Sequence, residues 1–342
     1  MNGGTAVPAN VLWAAVTRAL RAPSVHNTQP WLWRIDHGEI ELHADPRRHL
    51  VDTDPDGRDL LISCRAALHH VSAALAATGI RARVMRFPDS NHTTHIATVR
   101  PEAGRPEAHL IAAALGIEAR RTDRRQFGPG TIPDHVIASL RSTATSNGTV
   151  LHALHDDASR ERLEDVLVDA GARQRYAPGY TSELMVWTHR YPGLQDGIPA
   201  DSLPSTPSAK DGLRAFPPGR MSAPRHRRSS GHDRTVLLVL CTFGDTKVDW
   251  LLAGEATSAL LLAATTRRLA TTPLSQALEV EASRRAIADK VLRTPDYPQL
   301  IIRLGFPVDG ATLPRTPRRP LRSVLMPGRV PDVGAAPVPP VG

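Results

Sequence analysis

Apolar-rich stretches at 11–20, 58–78, 106–118, 133–144, 158–172, 249–269 and 283–293 read as helices. Shorter apolar runs at 31–36, 39–43, 81–87, 95–99, 149–155, 235–242 and 299–304 read as strands. His37-Gly38, between the first two strands, is a hairpin signal, and Gly79 is placed to cap the first long helix. Residues 235–242 are almost wholly apolar, as in a strand buried on both faces. Helices and strands are mixed along the chain, which predicts an α+β architecture.

From 176 to 233 this pattern gives way to Pro, Gly, Ser and Arg. A stretch this long inside a compact protein is either functional or disordered, and both readings stand. Residues 331–342, rich in Pro, Gly, Val and Ala, read as a disordered tail. There is also an internal echo. Asp59-Leu-Leu-Ile-Ser-Cys-Arg-Ala-Ala opens the first long helix and Asp249-Trp-Leu-Leu-Ala-Gly-Glu-Ala the second, each followed by strand, polar stretch and strand. Independent origin of two Ala/Leu-rich helices would give the same match, but a duplication would place them as a central packed pair.

The 342 residues carry a net charge of +8, which raises nucleic acid or a membrane surface as partners. The positive charge is almost all arginine, with lysine only at 210, 247 and 290, and is scattered among carboxylates. No zinc-finger spacing, helix-turn-helix or RNP-like segment accompanies it, so a nucleic-acid partner is not expected. Cys64 and Cys241 form no CxxC pair and suit a reducing compartment. The first residues lack a basic start and apolar run, and no uninterrupted apolar run approaches ~20 residues, so a cytoplasmic protein with no membrane partner is expected.

Candidate chemistry concentrates in Ala22-Pro-Ser-Val-His-Asn-Thr-Gln-Pro-Trp31. Pro23 and Pro30 stiffen both ends, while Ser24, Asn27 and Gln29 offer a hydroxyl and two amides. Such a loop suits a flat heterocycle edged with donors and acceptors; the same residues also serve as ordinary turn-formers. Seven defined positions in these ten resemble the A-P-S-x-x-N-x-Q-P-W motif of the nitroreductase family of FMN-dependent oxidoreductases. With His26 and Thr28 in the gaps, the segment is most similar to the Acg-type branch, in which one chain looks like two fused nitroreductase subunits.

The resemblance covers roughly 10–325 outside 176–233, and it implies a pseudo-dimer with central helices and flanking mixed or antiparallel sheets. One half would span 1–119 and the other 120–330, the latter carrying the 176–233 insert as a lid. Family flavin sites take pieces from both subunits. Here Ser24, Asn27 and Gln29 would orient the flavin ring. Arg120, Arg121, Thr122 and Arg124, in Arg-Arg-Thr-Asp-Arg-Arg-Gln-Phe, resemble the family's R-R-S-x-R phosphate and ring-edge segment. Pro273, Leu274 and Ser275 resemble the segment beside flavin N5, although Ser275-Gln276 replaces the frequent Glu-Gly. Arg318 and Arg319 resemble a second phosphate contact. Read without the family, the arginine runs are equally a solvated charged surface. The second half has Glu183-Leu-Met-Val-Trp-Thr-His where the polar loop would recur, so one complete FMN site per chain is expected.

These parts imply an oxidoreductase with non-covalent FMN, NAD(P)H as donor, and nitroaromatic or quinone acceptors. The catalytic chemistry would lie at flavin N5 rather than on a side chain, and the fused chain would be monomeric. A flavin-sequestering protein with a closed lid is the alternative, and a basic protein acting on nucleic acid or membrane the third. His92-x-x-His95 and His152-x-x-His155 have metal-like spacing, but they lie in strand-like segments with no nearby acidic or cysteine partner, so no metal is expected. No G-x-G-x-x-G after a strand, P-loop or G-x-S-x-G is present.

Overall fold

The computed structural model describes residues 7–191, 193–203, 205, 216, 219–221, 235–308 and 313–326. The expected tail at 331–342 and much of the insert after 203 lie outside the described residues.

The first half runs α1 (Ala9–Ala19), β1 (Trp31–Asp36), β2 (Glu39–Ala44), α2 (Arg58–Ala77), β3 (Arg81–Arg86), β4 (His95–Glu102) and α3 (Ala108–Ala114). The second begins with α4 (Asp134–Ser146) and β5 (Val150–Leu154), then inserts α5 (Asp157–Tyr176) and α6 (Tyr180–Thr188). It continues through β6 (Val236–Thr242), α7 (Lys247–Thr266), β7 (Ala270–Leu274), α8 (Glu281–Ala286) and β8 (Tyr297–Gly305). Each half holds a four-stranded antiparallel sheet, ordered β1-β2-β4-β3 and β5-β6-β8-β7. With α5, α6 and α8 set aside, the second half repeats the α-β-β-α-β-β order of the first, whose α3 has no counterpart among the described residues. The large insertion falls where the first half has only its hairpin, whose His37 and Gly38 both take positive φ (48° and 77°), as a type I′ turn requires.

The long helices α2 and α7 form the central packed pair. Both are 20 residues long and, by length and composition, apolar enough to span a membrane (mean hydropathy 1.4 and 1.2), against the expectation of no spanning stretch. They are core helices here: α2 is buried on every face, so Arg58, Asp59, Arg65, His69 and His70 are buried with it. The halves also interlock through the C-terminal segment. Trp33 of β1 donates its N–H to the Val324 carbonyl (2.7 Å) and accepts from the Met326 N–H (2.9 Å).

The strand expected after the second long helix is β7; it contains Pro273 but lies at a sheet edge, where a missing N–H is tolerated. Two elements differ from expectation. The helix α6 arises inside the expected irregular insert, burying Tyr180, Leu184 and Trp187. The helix expected at 106–118 shortens to α3, and Gly116 just beyond it abuts the backbone of Leu262 on α7.

Candidate functional site

The loop between α1 and β1 is held in a backbone shape that few residues adopt willingly. His26, Asn27 and Gln29 all take positive φ (46°, 56° and 50°), a conformation that costs non-glycine residues energy and survives only where surroundings enforce it. Ser24 Oγ accepts the Gln29 N–H (2.9 Å), and Ser63 Oγ on α2 accepts the Val25 N–H (3.1 Å). The described part of the insert clamps the other side. Asn27 Nδ2 donates to the Gly197 carbonyl (2.9 Å) and Gln29 Nε2 to that of Gln195 (2.8 Å), while Asp196 pairs with Arg48.

Two adjoining cavities open beside this loop, sharing Pro23, Ser24, Thr122 and Arg124. The larger, about 900 Å³ with its open mouth, is a mainly apolar slot between the loop, α2 and residues 272–276. The smaller adds Asn27, Arg120, Ile198, Pro199, Thr316 and Arg318. Both cavities therefore draw on both halves of the chain.

Nine of the twelve expected site residues border this space. Ser24, Thr122 and Arg124 touch both cavities; Pro273, Leu274 and Ser275 line the slot; Asn27, Arg120 and Arg318 line the smaller cavity. Gln29, Arg121 and Arg319 line neither. Gln29 is wholly buried, and its Oε1 and carbonyl oxygen accept the Arg319 N–H (2.8 Å) and Nη1 (3.1 Å). Arg121 Nη1 donates to the carbonyls of Glu118 and Arg120. Gln29 and Arg319 thus tie the polar loop to the C-terminal segment behind the cavity. The sequence reading missed Asp59, Ser63, Thr257 and Phe216 on the slot. Of these, Asp59 and Ser63 lay in the echo that opens α2.

The smaller cavity is strongly cationic. Arg120 is buried and Arg318 half-buried, and among the described residues neither has a carboxylate partner. Nε and Nη1 of Arg120, and Nε of Arg318, have no hydrogen-bond partner among the described residues. Burial, aggravated by Arg121, pulls Arg120 down to about 10; burial, then Arg120, pulls Arg318 down to about 9. Two unneutralised guanidiniums facing one cavity form a receptor for an anion. An FMN phosphate has the required charge and acceptors, and the adjoining slot has room for an apolar ring, so the residues present fit that cofactor.

The expectation that the spaced histidines lack acidic partners is corrected here. His152 Nε2 lies 3.1 Å from Asp296, His92 Nδ1 2.6 Å from Asp89, and His95 stacks on His43 beside Glu41. His92 sits in the turn before β4, not in a strand.

The chain matches no protein-family model. A Mycobacterium tuberculosis H37Rv protein whose name assigns it to the NAD(P)H nitroreductases, Rv3131, is 37% identical over 319 residues, covering 93% of this chain and 91% of its own length. Another so named from that strain, acg, is 36% identical over 327 residues, covering 94% and 97%. The chain belongs to the NAD(P)H nitroreductase family. Among solved structures, the FMN-dependent nitroreductase NfnB from Mycobacterium smegmatis in complex with NADPH aligns with a TM-score of 0.41 at 18% identity, over 64% of this chain and 98% of that one. In this nitroreductase the duplicated topology places two subunit-like halves in one polypeptide, and the cavities lie on their seam.

Proposed function

We propose that the chain is an FMN-dependent oxidoreductase that binds one flavin across the seam of its halves and carries reducing equivalents from NAD(P)H to nitroaromatic or quinone acceptors. The observation that carries this reading is the unneutralised pair Arg120 and Arg318 beside an apolar slot. FMN, when bound, would supply the hydride-transfer chemistry, as the family membership implies. The chain's own part is positioning and electrostatics. Arg120 and Arg318 bind the phosphate, and Ser24 and Asn27 orient the ring from the strained loop. Asn27 Oδ1 is buried and unpartnered, so it is available to accept from a ligand. Pro273, Leu274 and Ser275 wall the slot against water. Gln29 and Arg319 brace the loop, and Arg121 braces the arginine segment.

A second reading, flavin storage, draws support from the insert. Residues 195–197 bond to the polar loop, and Phe216 lies edge-on to His26, 5.9 Å between ring centroids. A cover that stays shut would hold the flavin away from its second substrate. The test is the visible spectrum of the purified protein and its response to NADPH without oxygen. Bleaching of a flavin band supports turnover; a flavin band that ignores NADPH supports storage; no flavin band after incubation with FMN overturns both. Removal of residues 193–230 should restore bleaching if the insert is what prevents it.

A further inference from the structure

On the first-half sheet, outside the two cavities, three side chains with metal-binding chemistry meet on one face. Glu41 and His43 are two apart on β2 and so point the same way. His95 joins them from β4 because of a β-bulge: Leu42 pairs with Ala97 but His43 pairs with His95. The skipped Ile96 turns into the core with Ala97, and His95 is returned to the outer face. The His43 and His95 rings stack 4.4 Å apart, His43 Nε2 is 2.9 Å from Glu41 Oε2, and one ligand atom from each residue lies within 4.8 Å of the others.

We propose that Glu41, His43 and His95 form a binding site for a borderline divalent transition-metal cation such as Zn²⁺, outside the flavin site and independent of it. Two imidazoles and one carboxylate match that cation, with a fourth position left to water. The outer partners also fit. His95 Nε2 lies 3.0 Å from the Thr98 hydroxyl, a contact that holds the ring's orientation. His43 is almost fully buried, so its rotamer is set in advance. The other charged groups facing the cluster are Arg34, bonded to Glu41 (Nε, 2.8 Å), and His92. The Arg34 side chain is 40% exposed and can leave for solvent, surrendering a contact of small worth.

The site is tested on the full chain, stripped of metal with a chelating resin, by calorimetric titration with ZnCl2 and by thermal melting. The expected result is one tight site whose affinity falls at least about tenfold in His95→Gln, is unchanged in His37→Gln on the exposed hairpin, and rises in Arg34→Gln, where the competing cation is gone. No Zn²⁺ binding, or equal affinity in wild type and His95→Gln, overturns the proposal. Flavin content is read in the same samples; its loss in His95→Gln would overturn the site's independence of the flavin cavity.

Discussion

Gly254 on α7 faces the carbonyl oxygen of Ile62 on α2 so closely that a Cβ there would lie 2.5 Å from that oxygen and 2.6 Å from Arg65 Cβ. In an isolated helix, alanine would be the better residue by about 1 kcal/mol. Here the obstruction is largely backbone and cannot swing aside, so the central helix pair must separate. Gly254→Ala should therefore destabilise the protein by about 2 kcal/mol, as overpacked cores do. Gly116→Ala, whose Cβ would meet the Leu262 carbonyl oxygen at 3.0 Å, should cost less. Urea unfolding of both variants checks the ranking, and a Gly254→Ala protein as stable as wild type would contradict the close approach.

The Arg120 and Arg318 pair makes a prediction with two opposite signs. Without an anion, the two charges repel one another, so Arg318→Gln should leave the flavin-free protein as stable as wild type or more so. The same change should weaken FMN binding by about tenfold or more, through loss of charge-assisted bonds to phosphate. Riboflavin, which has no phosphate, should bind both proteins alike. Titration of the flavin-free forms with each ligand checks this, and equal loss for both flavins would place Arg318 elsewhere on the ligand.

The long helices, the first hairpin and most strands were legible because each depends on local pattern: Gly79, His37-Gly38 and the apolar run at 236–242 need no distant partner to be read. The strand β7 was expected only from the internal echo and without bounds, since edge position excuses Pro273 and edge position is a property of the whole sheet. The site divides the same way. Ser24 and Asn27 were visible in one motif, and Arg120 and Arg318 as parts that one half lacked. Asp59, Ser63 and Phe216 were not, because an acidic residue and a serine opening a helix look like capping, and a lone Phe in an irregular stretch looks like nothing. The outer-face Glu41, His43 and His95 cluster depends on a bulge that no local pattern announces.

Asp54 supplies a pH dependence. Its carboxylate accepts the N–H groups of Asp59 (3.0 Å) and Leu60 (2.9 Å) at the start of α2, yet burial and then the neighbouring Asp59 raise it to about 8 from an ordinary 3.8. The folded protein thus holds this proton more tightly than the unfolded chain does. The resulting stability is fully present below pH ~4 and is lost as pH rises through about 8, with a slope of at most about 1.4 kcal/mol per pH unit for one proton. Asp54→Asn, which carries no titrating proton, should flatten that fall between pH 5 and 8. Denaturant melts of both proteins across this range measure it, and parallel pH profiles would show that Asp54 ionises normally.

Asp196 is the tether between insert and polar loop. It pairs with Arg48, which also donates to the Thr28 carbonyl, and with Arg190 (2.9 and 3.0 Å), while both arginines lie over the Trp187 ring. A half-buried carboxylate between two guanidiniums is held well in the ionised form, its burial outweighed by those bonds. Asp196→Asn removes the charge but little volume, leaving two cations facing one another across the seam. The insert should then part more readily from residues 27–29, where Asn27 and Gln29 hold it by amide bonds alone. If the insert governs access to the flavin, FMN should dissociate several-fold faster from Asp196→Asn, and iodide should quench bound flavin more strongly. Unchanged dissociation with intact folding would mean that the flavin leaves by a path the insert does not cover.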